Sequence, residues 1–321
     1  MRRSPALVLP FAVQPDLAGT MDIQIPALAW SPAPAGRFER VYHLDGHSVP
    51  VQAAEGRGAL RFFYDAPDSA VAARLEAVLR QTFPAMIGDL ALDQNPIPRA
   101  LRERYQGVIV MHTDPFEALV LAVLSQNRTG EIVRRVYPAL AAACGGVTPR
   151  NVAALGLTEL TERIRSAGPY KAPRLAVTAV KVLTDGEEMF HKSVMDSPTA
   201  LAYLESFPGV GHKTAACVLM FSARCATTLP VDTHLFRVVD RLGLARHDGV
   251  LTKATRDALI TALLGYGPAL APAHFLFLLV GRATCLAVAP RCTACFLQPH
   301  CRFAATHPPA RSGPSVAAEE A

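Results

Sequence analysis

The sequence predicts a mainly α-helical protein that carries an additional α+β domain at its N-terminus. From residue 113 onward, apolar residues recur at helical spacing in almost every segment. Before that point, three short segments rich in β-branched and aromatic residues are separated by the turn-forming stretches DGH and EGRG. The chain has 321 residues and is 50% hydrophobic, which is enough for two or three domains with cores of their own.

The N-terminal domain is predicted to span residues 1–105. Residues 1–36 are rich in proline and alanine, and we expect them to run over the surface. The stretch that follows is predicted to form strands and then one helix, on which Val71, Leu75, Val78 and Leu79 share a face. The predicted strands are 38–44, 48–52 and 59–65, and the predicted helix is 69–83.

A helical core is predicted over residues 106–284. Its first helix has Asp114 as N-cap, Pro115 at the first helical position and Glu117 two residues later, which is a typical start signal. No apolar run reaches the ~18 residues that a membrane span needs, and the first residues do not resemble a targeting segment. The tail 303–321 is of low complexity and is expected to be disordered.

The formal net charge is +5, and all of it comes from residues 106–321, because residues 1–105 are balanced. A mild positive bias in the helical part is compatible with a polyanionic partner such as DNA or RNA. It is equally compatible with an ordinary arginine-rich protein, so charge alone leaves both interpretations open.

The stretch FPGVGHKT, residues 207–214, places two glycines in a turn between two helical patterns. Gly209 and Gly211 permit positive φ angles and leave the turn without bulky side chains. The amides of Gly209, Val210 and Gly211, with the N-terminus of the next helix, would form an anion site suited to a phosphate. The alternative is a plain turn between two helices, in which a glycine only caps the first of them.

Four of the seven cysteines lie close together, with the spacing C-x6-C-x2-C-x5-C. Four thiolates in so short a segment can surround one metal centre, and both zinc and a [4Fe–4S] cluster accept four sulfur ligands. The odd total argues for a reduced compartment and against a disulfide framework. We predict a metal-binding loop over residues 285–302 whose ligands are Cys285, Cys292, Cys295 and Cys301.

These motifs together resemble the endonuclease III family of DNA glycosylases. The segments DPFEALVLAVLSQN, LESFPGVGHKTAACVL, PVDTHLFRVVDRLGL and the cysteine segment stand in the family's order and cover residues 113–302. The resemblance implies a helix-hairpin-helix DNA glycosylase fold with a C-terminal [4Fe–4S] loop. The extra N-terminal domain weakly resembles that of 8-oxoguanine and 3-methyladenine DNA glycosylases.

The resemblance also implies the reaction and its residues. Lys213 corresponds to the family's Schiff-base lysine, and Asp232 to its catalytic aspartate. The helix dipole and partial burial would both favour the free amine of Lys213. Without the resemblance, Lys213 could be a phosphate contact and Asp232 a plain N-cap.

Further DNA contacts follow from the same resemblance. Gln126 would enter the space left by a flipped base, although it could equally be a polar C-cap. In the loop that inserts a wedge into the duplex, Pro169 stands where a larger apolar residue is expected, followed by Tyr170 and Lys171. His212 stands where close relatives often have arginine.

The implied enzyme is a bifunctional DNA glycosylase and abasic-site lyase that carries a [4Fe–4S] cluster, with a monovalent or divalent cation at the hairpin as a further expectation. Its partner would be duplex DNA containing damaged bases, oxidised pyrimidines by default, or abasic sites. We expect a monomer in the cytoplasm, associated with the nucleoid if the source is bacterial. The alternatives are a monofunctional glycosylase for alkylated or oxidised purines and a non-catalytic DNA-binding relative.

Overall fold

The fold is described by a computed structural model over residues 5–86, 96–196, 198–222, 228–245, 250–263 and 270–307. Over these ranges the protein combines an N-terminal antiparallel sheet with a larger helical region, as the sequence predicts. The described helices include none that is long and apolar enough to cross a membrane.

The N-terminal sheet has five antiparallel strands in the order β1-β5-β4-β3-β2. Its inner face is apolar, because alternate residues such as Val49, Val51 and Ala53 point inward and are buried. The three strands predicted from the sequence are confirmed as β3, β4 and β5. The strands are β1 (Leu7–Pro10), β2 (Ser31–Ala33), β3 (Arg37–Leu44), β4 (His47–Gly56) and β5 (Ala59–Phe63).

One helix covers this sheet, and it is the one predicted. Helix α2 (Ser69–Thr82) begins at Asp68, whose side chain accepts hydrogen bonds from the amides of the first turn. Leu75 and Leu79 on its inner face are fully buried, which explains why the apolar spacing identified the helix.

The expectation that residues 1–36 run over the surface is wrong for much of this segment. It contributes strand β1, helix α1 (Leu17–Ile23) and a short 3₁₀ helix at Pro26–Ala29 whose residues are all buried. Trp30 has no exposed surface, and its ring lies 6.0 Å from the Tyr42 ring and 5.8 Å from the Phe83 ring. Proline here shapes a buried segment, because its fixed φ suits the start of a 3₁₀ turn.

The sheet and the helical region are joined by backbone pairing. Strand β6 (Ala85–Met86) pairs with β7 (Ile109–Val110), across the predicted boundary at residue 105. The buried Gln24 side chain secures the same strand: it donates to the Ile109 carbonyl at 2.6 Å and accepts from the Met111 amide at 2.7 Å. The division of the chain at residue 105 stays a prediction.

A buried ion pair forms a second connection between the two regions. Arg40 of β3 contacts Glu117 at 2.5 Å, and both side chains are about nine-tenths buried. Thr113 and Tyr137 also donate to this carboxylate, each at 2.5 Å. Burial lowers the pKa of the Arg40 guanidinium, but the Glu117 carboxylate, with Tyr42 and Tyr137 as further causes, raises it above its ordinary value.

The helical region begins as predicted. Asp114 caps α4 through hydrogen bonds to the amides of Phe116 and Glu117, and Pro115 is its first residue. The helices are α3 (Pro96–Tyr105), α4 (Pro115–Ser125), α5 (Gly130–Cys144), α6 (Pro149–Ala154), α7 (Leu157–Arg163), α8 (Ala172–Asp185), α9 (Glu187–Met195), α10 (Ala200–Glu205), α11 (His212–Ser222), α12 (Thr233–Leu242), α13 (Lys253–Leu263), α14 (Leu270–Ala283) and α15 (Arg302–Thr306).

Helix α15 corrects the prediction for the tail. Residues 302–306 are helical and Ala304 is buried, so the ordered structure continues past the predicted boundary at residue 302. The remainder of the predicted tail, residues 308–321, lies outside the described residues.

Candidate active site

The predicted hairpin is present between α10 and α11. Gly209 has a φ of 75°, a conformation that favours glycine. A Cβ atom there would also lie 2.7 Å from Cδ of Arg174, so the Arg174 side chain would have to shift if Gly209 were replaced. Val210 is buried, and its amide donates to the Phe207 carbonyl at 3.1 Å. The turn is therefore tightly packed on its inner side.

Two details of the hairpin differ from the prediction. Gly211 does not have a positive φ, and a Cβ there would meet open space, so only Gly209 needs its conformational freedom. His212 turns inward: its side chain is 15% exposed and its Nδ1 lies 3.3 Å from the Glu205 carboxylate. Burial and the nearby Arg256 guanidinium lower the pKa of His212. This orientation does not suit a phosphate contact through the imidazole.

Lys213 lies in the first turn of α11 and is exposed, whereas the sequence led us to expect partial burial. Its amine makes no hydrogen bond or ion pair with any part of the chain that the structure describes. A lysine that is not held by a carboxylate is available to react or to contact a ligand.

Asp232 is the N-cap of α12. One carboxylate oxygen, Oδ1, accepts from the amides of His234 at 3.0 Å and Leu235 at 2.8 Å. Capping holds the side chain in a fixed orientation and leaves the second oxygen, Oδ2, without a partner among the described residues. The capping role that the sequence suggested is thus confirmed, and it does not occupy the whole carboxylate.

Two side chains feel the charges of both Lys213 and Asp232: the partly buried Cys217 and the buried His274. Cys217 lies one turn after Lys213 on α11, and both Lys213 and Asp232 act electrostatically on its thiol, although burial is the main reason that its pKa is raised to about 12. The same two charges act on His274 of α14. The hairpin lysine and the capping aspartate therefore lie in one region, around Cys217 and His274.

His274 was not singled out by the sequence analysis. It is 3% exposed, and neither ring nitrogen has a hydrogen-bond partner in the described part of the chain. Burial lowers the pKa of His274 to about 4, so the imidazole is neutral at physiological pH. Its signal in the sequence was a single polar residue at the start of the apolar run HFLFLLV.

The packing of α14 on α12 explains why His274 lies near Asp232. Gly281 lets the helices approach closely, because a Cβ there would lie 2.9 Å from Cβ of His234. Further along, Arg237 of α12 donates to the carbonyls of Gly281 and Cys285, so the two helices run in the same direction. His274 stands seven residues before Gly281, on the same face of α14, which brings it to the end of α12 that Asp232 caps.

The loop that follows α4 presents a different residue from the one predicted. The Gln126 side chain is directed at the hairpin, where its Nε2 donates to the Gly209 carbonyl at 2.9 Å and to Thr214 Oγ1 at 3.0 Å. The neighbouring Asn127 is exposed and has a φ of 54°, unusual for a residue other than glycine. Sequence reasoning missed Asn127 because adjacent amides cannot be ranked without the backbone conformation.

The predicted wedge loop lies beside this loop. Pro169 and Tyr170 are exposed, and the Arg174 guanidinium lies 5.5 Å from the centre of the Tyr170 ring. Lys171, by contrast, is fully buried, and its Nζ donates to the carbonyls of Leu124 at 2.8 Å and Gln126 at 2.7 Å. The predicted DNA contact of the Lys171 side chain is therefore wrong for this structure, because the amine instead caps the end of α4.

The four predicted cysteine ligands line one small cavity, together with Arg241 and Phe303. Arg241 donates to Cys285 Sγ at 3.4 Å, and Cys301 Sγ donates to the Arg241 carbonyl at 3.3 Å. Burial, with neighbouring thiols as a further cause, raises the pKa values of Cys292 and Cys295. In the described ranges, no three His, Cys, Asp or Glu side chains converge tightly enough to hold a single ion. The four thiols therefore line a cavity and do not converge on a single ion position.

Comparisons with known proteins define the class. Residues 120–260 match the model of the HhH-GPD superfamily base excision DNA repair proteins. The match contains the hairpin, Lys213 and Asp232, and it begins inside α4.

Sequence relatives define the family more narrowly. Endonuclease III of Treponema pallidum is 34% identical over 187 residues, which cover 58% of this chain and 82% of that protein. The chain belongs to the endonuclease III family of base excision DNA repair glycosylases.

The fold likeness extends further than the sequence likeness. The apo-form of Clostridium acetobutylicum 8-oxoguanine glycosylase/lyase is similar with a TM-score of 0.66 at 16% identity, covering 86% of this chain and 96% of that one. The 3-methyladenine DNA glycosylase from Archaeoglobus fulgidus gives 0.65 at 17% identity, covering 86% and 99%. The architecture with an N-terminal sheet is thus shared with these proteins.

Proposed function

We propose that this protein excises a damaged base from duplex DNA and then cleaves the strand at the abasic site, with Lys213 as nucleophile. The observation that carries the proposal is the hairpin site itself. An exposed, unpaired amine and a capped carboxylate act on the same two side chains, Cys217 and His274, beside a glycine turn open to a phosphate.

The first chemical step follows from these two groups. The lone pair of Lys213 Nζ attacks the anomeric carbon of the flipped nucleotide, and the electrons of the N-glycosidic bond leave with the base, which takes up a proton. Positive charge develops on the sugar during this step, and Oδ2 of Asp232 is the unpartnered oxygen that can stabilise it.

The second step cleaves the strand. The bound nitrogen gives up one proton, its lone pair expels the ring oxygen, and that oxygen takes up a proton as the sugar ring opens. The product is a protonated Schiff base between Nζ and the former anomeric carbon. Removal of the adjacent 2′ proton then expels the 3′ phosphate by β-elimination, and water hydrolyses the Schiff base to release Lys213. A glycosylase that used water as its nucleophile would not form this covalent bond.

Binding of DNA is assigned to three neighbouring segments. The amides of Gly209 and Gly211 would hold a phosphate, and the open space at Gly211 leaves room for one. The predicted contribution of the Val210 amide does not fit, because this amide already donates to the Phe207 carbonyl. The exposed Pro169 and Tyr170 would insert into the duplex, with the larger Tyr170 ring as the stronger wedge. Asn127 is better placed than Gln126 to enter the space that the flipped base leaves. A cation at the hairpin stays a prediction.

The cysteine segment is assigned to a [4Fe–4S] cluster with Cys285, Cys292, Cys295 and Cys301 as ligands. Four thiolates around a cavity suit a multi-iron cluster better than one tetrahedral zinc ion, which draws its sulfurs to within ~2.3 Å of a single point. When bound, the cluster would supply a structural centre for residues 285–302, and Arg291 beside it is exposed and could meet the phosphate backbone. Broad visible absorption of the purified protein, lost on removal of iron, would support iron over colourless zinc.

The deciding experiment is borohydride trapping on duplexes that carry single lesions. We expect a covalent adduct with wild-type protein and oxidised pyrimidines, and no adduct with Lys213→Ala. Base release without any adduct would instead indicate a monofunctional glycosylase. A panel that includes 8-oxoguanine and alkylated purines identifies the lesion, and binding without base release from any member would indicate a non-catalytic relative.

A further inference from the structure

Three segments that would meet DNA are joined in the free protein by a chain of hydrogen bonds. The segments are the loop after α4 (Ser125–Arg128), the wedge loop (Gly168–Lys171) and the hairpin (Phe207–Lys213). All three come from distant parts of the sequence, and their mutual placement depends on side chains that cross between them.

The first link runs from the wedge loop to the loop after α4. Lys171 has no exposed surface, and its amine donates to two carbonyls at the end of α4, at 2.8 and 2.7 Å. Arg128 makes a return contact from its Nε to the Ser166 carbonyl at 3.3 Å. The residue before the buried lysine is the exposed Tyr170, so fixing Lys171 also fixes the wedge.

The second link runs from the loop after α4 to the hairpin. Gln126 Nε2 donates to the Gly209 carbonyl and to Thr214 Oγ1. The Gly209 carbonyl can only accept a hydrogen bond, which orients the amide with its nitrogen toward the hairpin. Thr214 directly follows Lys213, so this bond reaches the backbone that carries the proposed nucleophile.

We propose that Lys171 and Gln126 are positioning residues that lock the wedge loop, the loop after α4 and the hairpin into one rigid unit. The inserted side chains and the Lys213 amine then keep a fixed separation while a base is extruded. This inference rests on the proposed function. It assigns to Gln126 a role within the protein, in place of the role toward DNA that the sequence suggested.

The lock should matter for extruding a paired base and much less for the bond cleavage that follows. The measurement is the single-turnover rate of base release from a lesion in a duplex, compared with the same lesion in single-stranded DNA. Loss of either link should slow release from the duplex about tenfold, the effect of one hydrogen bond of typical net strength. Release from the single strand should change less than about threefold.

The variants are Lys171→Met and Gln126→Ala, and the matched control is Lys181→Met, which removes an amine on α8 that pairs with Asp185.

A double-substitution cycle separates this role from a direct contact of Gln126 with DNA. If Gln126 acts through the hairpin, Thr214→Val removes one of its two acceptors and slows duplex release by at most as much as Gln126→Ala, and the double variant is no slower than Gln126→Ala alone. If the double variant is slower than Gln126→Ala, or if single-strand and duplex release fall equally, the lock is refuted. Wild-type protein that releases no base and traps no DNA would instead refute the proposed function. Gln126 is only partly buried, so its variant tests the idea even if Lys171→Met fails to fold.

Discussion

Two regions of this protein each bring a cation and a carboxylate together from different elements, and they treat them in opposite ways. At the joint between the sheet and the helical region, Arg40 and Glu117 are in direct contact and nearly buried. At the hairpin, Lys213 and Asp232 act on common neighbours, yet no ion pair forms between them in the described ranges.

The charged groups at the joint stabilise the fold, whereas those at the hairpin remain available to a ligand. The Glu117 carboxylate is fully used: it accepts from Arg40, Thr113 and Tyr137. At the hairpin, both nitrogens of the buried His274 lack partners in the described ranges, and the Lys213 amine is exposed and unpaired. Buried polar atoms without partners occur at the joint as well, among them Nε and Nη1 of Arg40. What sets the hairpin apart is therefore an exposed cation that no carboxylate occupies and that a ligand can reach.

Removing the hairpin cation should have the largest effect on activity and almost none on stability. Lys213→Ala should lower base release and strand cleavage on the order of 10³-fold or more, because the nucleophile is lost. Its thermal unfolding should match the wild type, since the side chain is exposed and unpaired. Single-turnover kinetics measure the activity, and calorimetry measures the stability. An active Lys213→Ala variant would contradict the assignment of Lys213 as nucleophile.

Neutralising the Glu117 carboxylate at the joint should instead lower stability strongly and activity little. Glu117→Gln leaves the Arg40 guanidinium buried without a counter-charge, and we expect a loss of about 3–5 kcal/mol in the free energy of unfolding. Chemical denaturation measures it. Glu159→Gln, at an exposed pair with Arg163, is the matched control and should cost under about 1 kcal/mol. Equal losses in the two variants would mean that the joint contributes no more than a surface pair.

At the hairpin carboxylate, capping and charge can be separated. Asp232→Asn keeps a good N-cap but removes the charge, so stability should change little while base release falls on the order of 10²-fold. Asp232→Ala should in addition cost about 1 kcal/mol of stability through the lost cap. Full activity in Asp232→Asn would leave the aspartate with a capping role alone.

The smallest expected effect concerns the pH dependence of stability. His274 has a folded pKa of about 4 against 6.5 in the unfolded chain, so only the unfolded state takes up its proton between these values. Stability is therefore full above pH 6.5 and falls as the pH drops toward 4, with a loss of roughly 2 kcal/mol from this group at pH 5. His274→Leu should flatten that part of the curve in denaturation measured at several pH values. His300→Leu is the surface control, and an unchanged slope in His274→Leu would show that the imidazole is not buried as described.

Much of this molecule was predictable from its sequence, for reasons that particular elements make clear. Segments rich in β-branched and aromatic residues between turn signals identified β3 to β5, apolar spacing identified α2, and capping chemistry at Asp114 fixed the start of α4. The glycine turn and the cysteine spacing located both candidate sites, because these motifs are local in the chain.

What the sequence could not predict depends on contacts between distant residues. Proline-rich composition concealed the burial around Trp30, and the resemblance of the wedge loop suggested that Lys171 meets DNA, whereas its amine caps α4. The choice between Gln126 and Asn127 turns on one φ angle. The proximity of His274 to Asp232 arises only when α14 packs beside the start of α12, which the sequence alone does not show.

The cap at the start of α12 has a consequence for the reaction. Two backbone amides already orient the Asp232 side chain before any substrate arrives. If Asp232 acts as proposed, its free oxygen is already oriented when positive charge develops on the sugar. The protein then does not have to reorganise at that moment. Folding of a single helical turn would thus complete half of the proposed catalytic arrangement in advance.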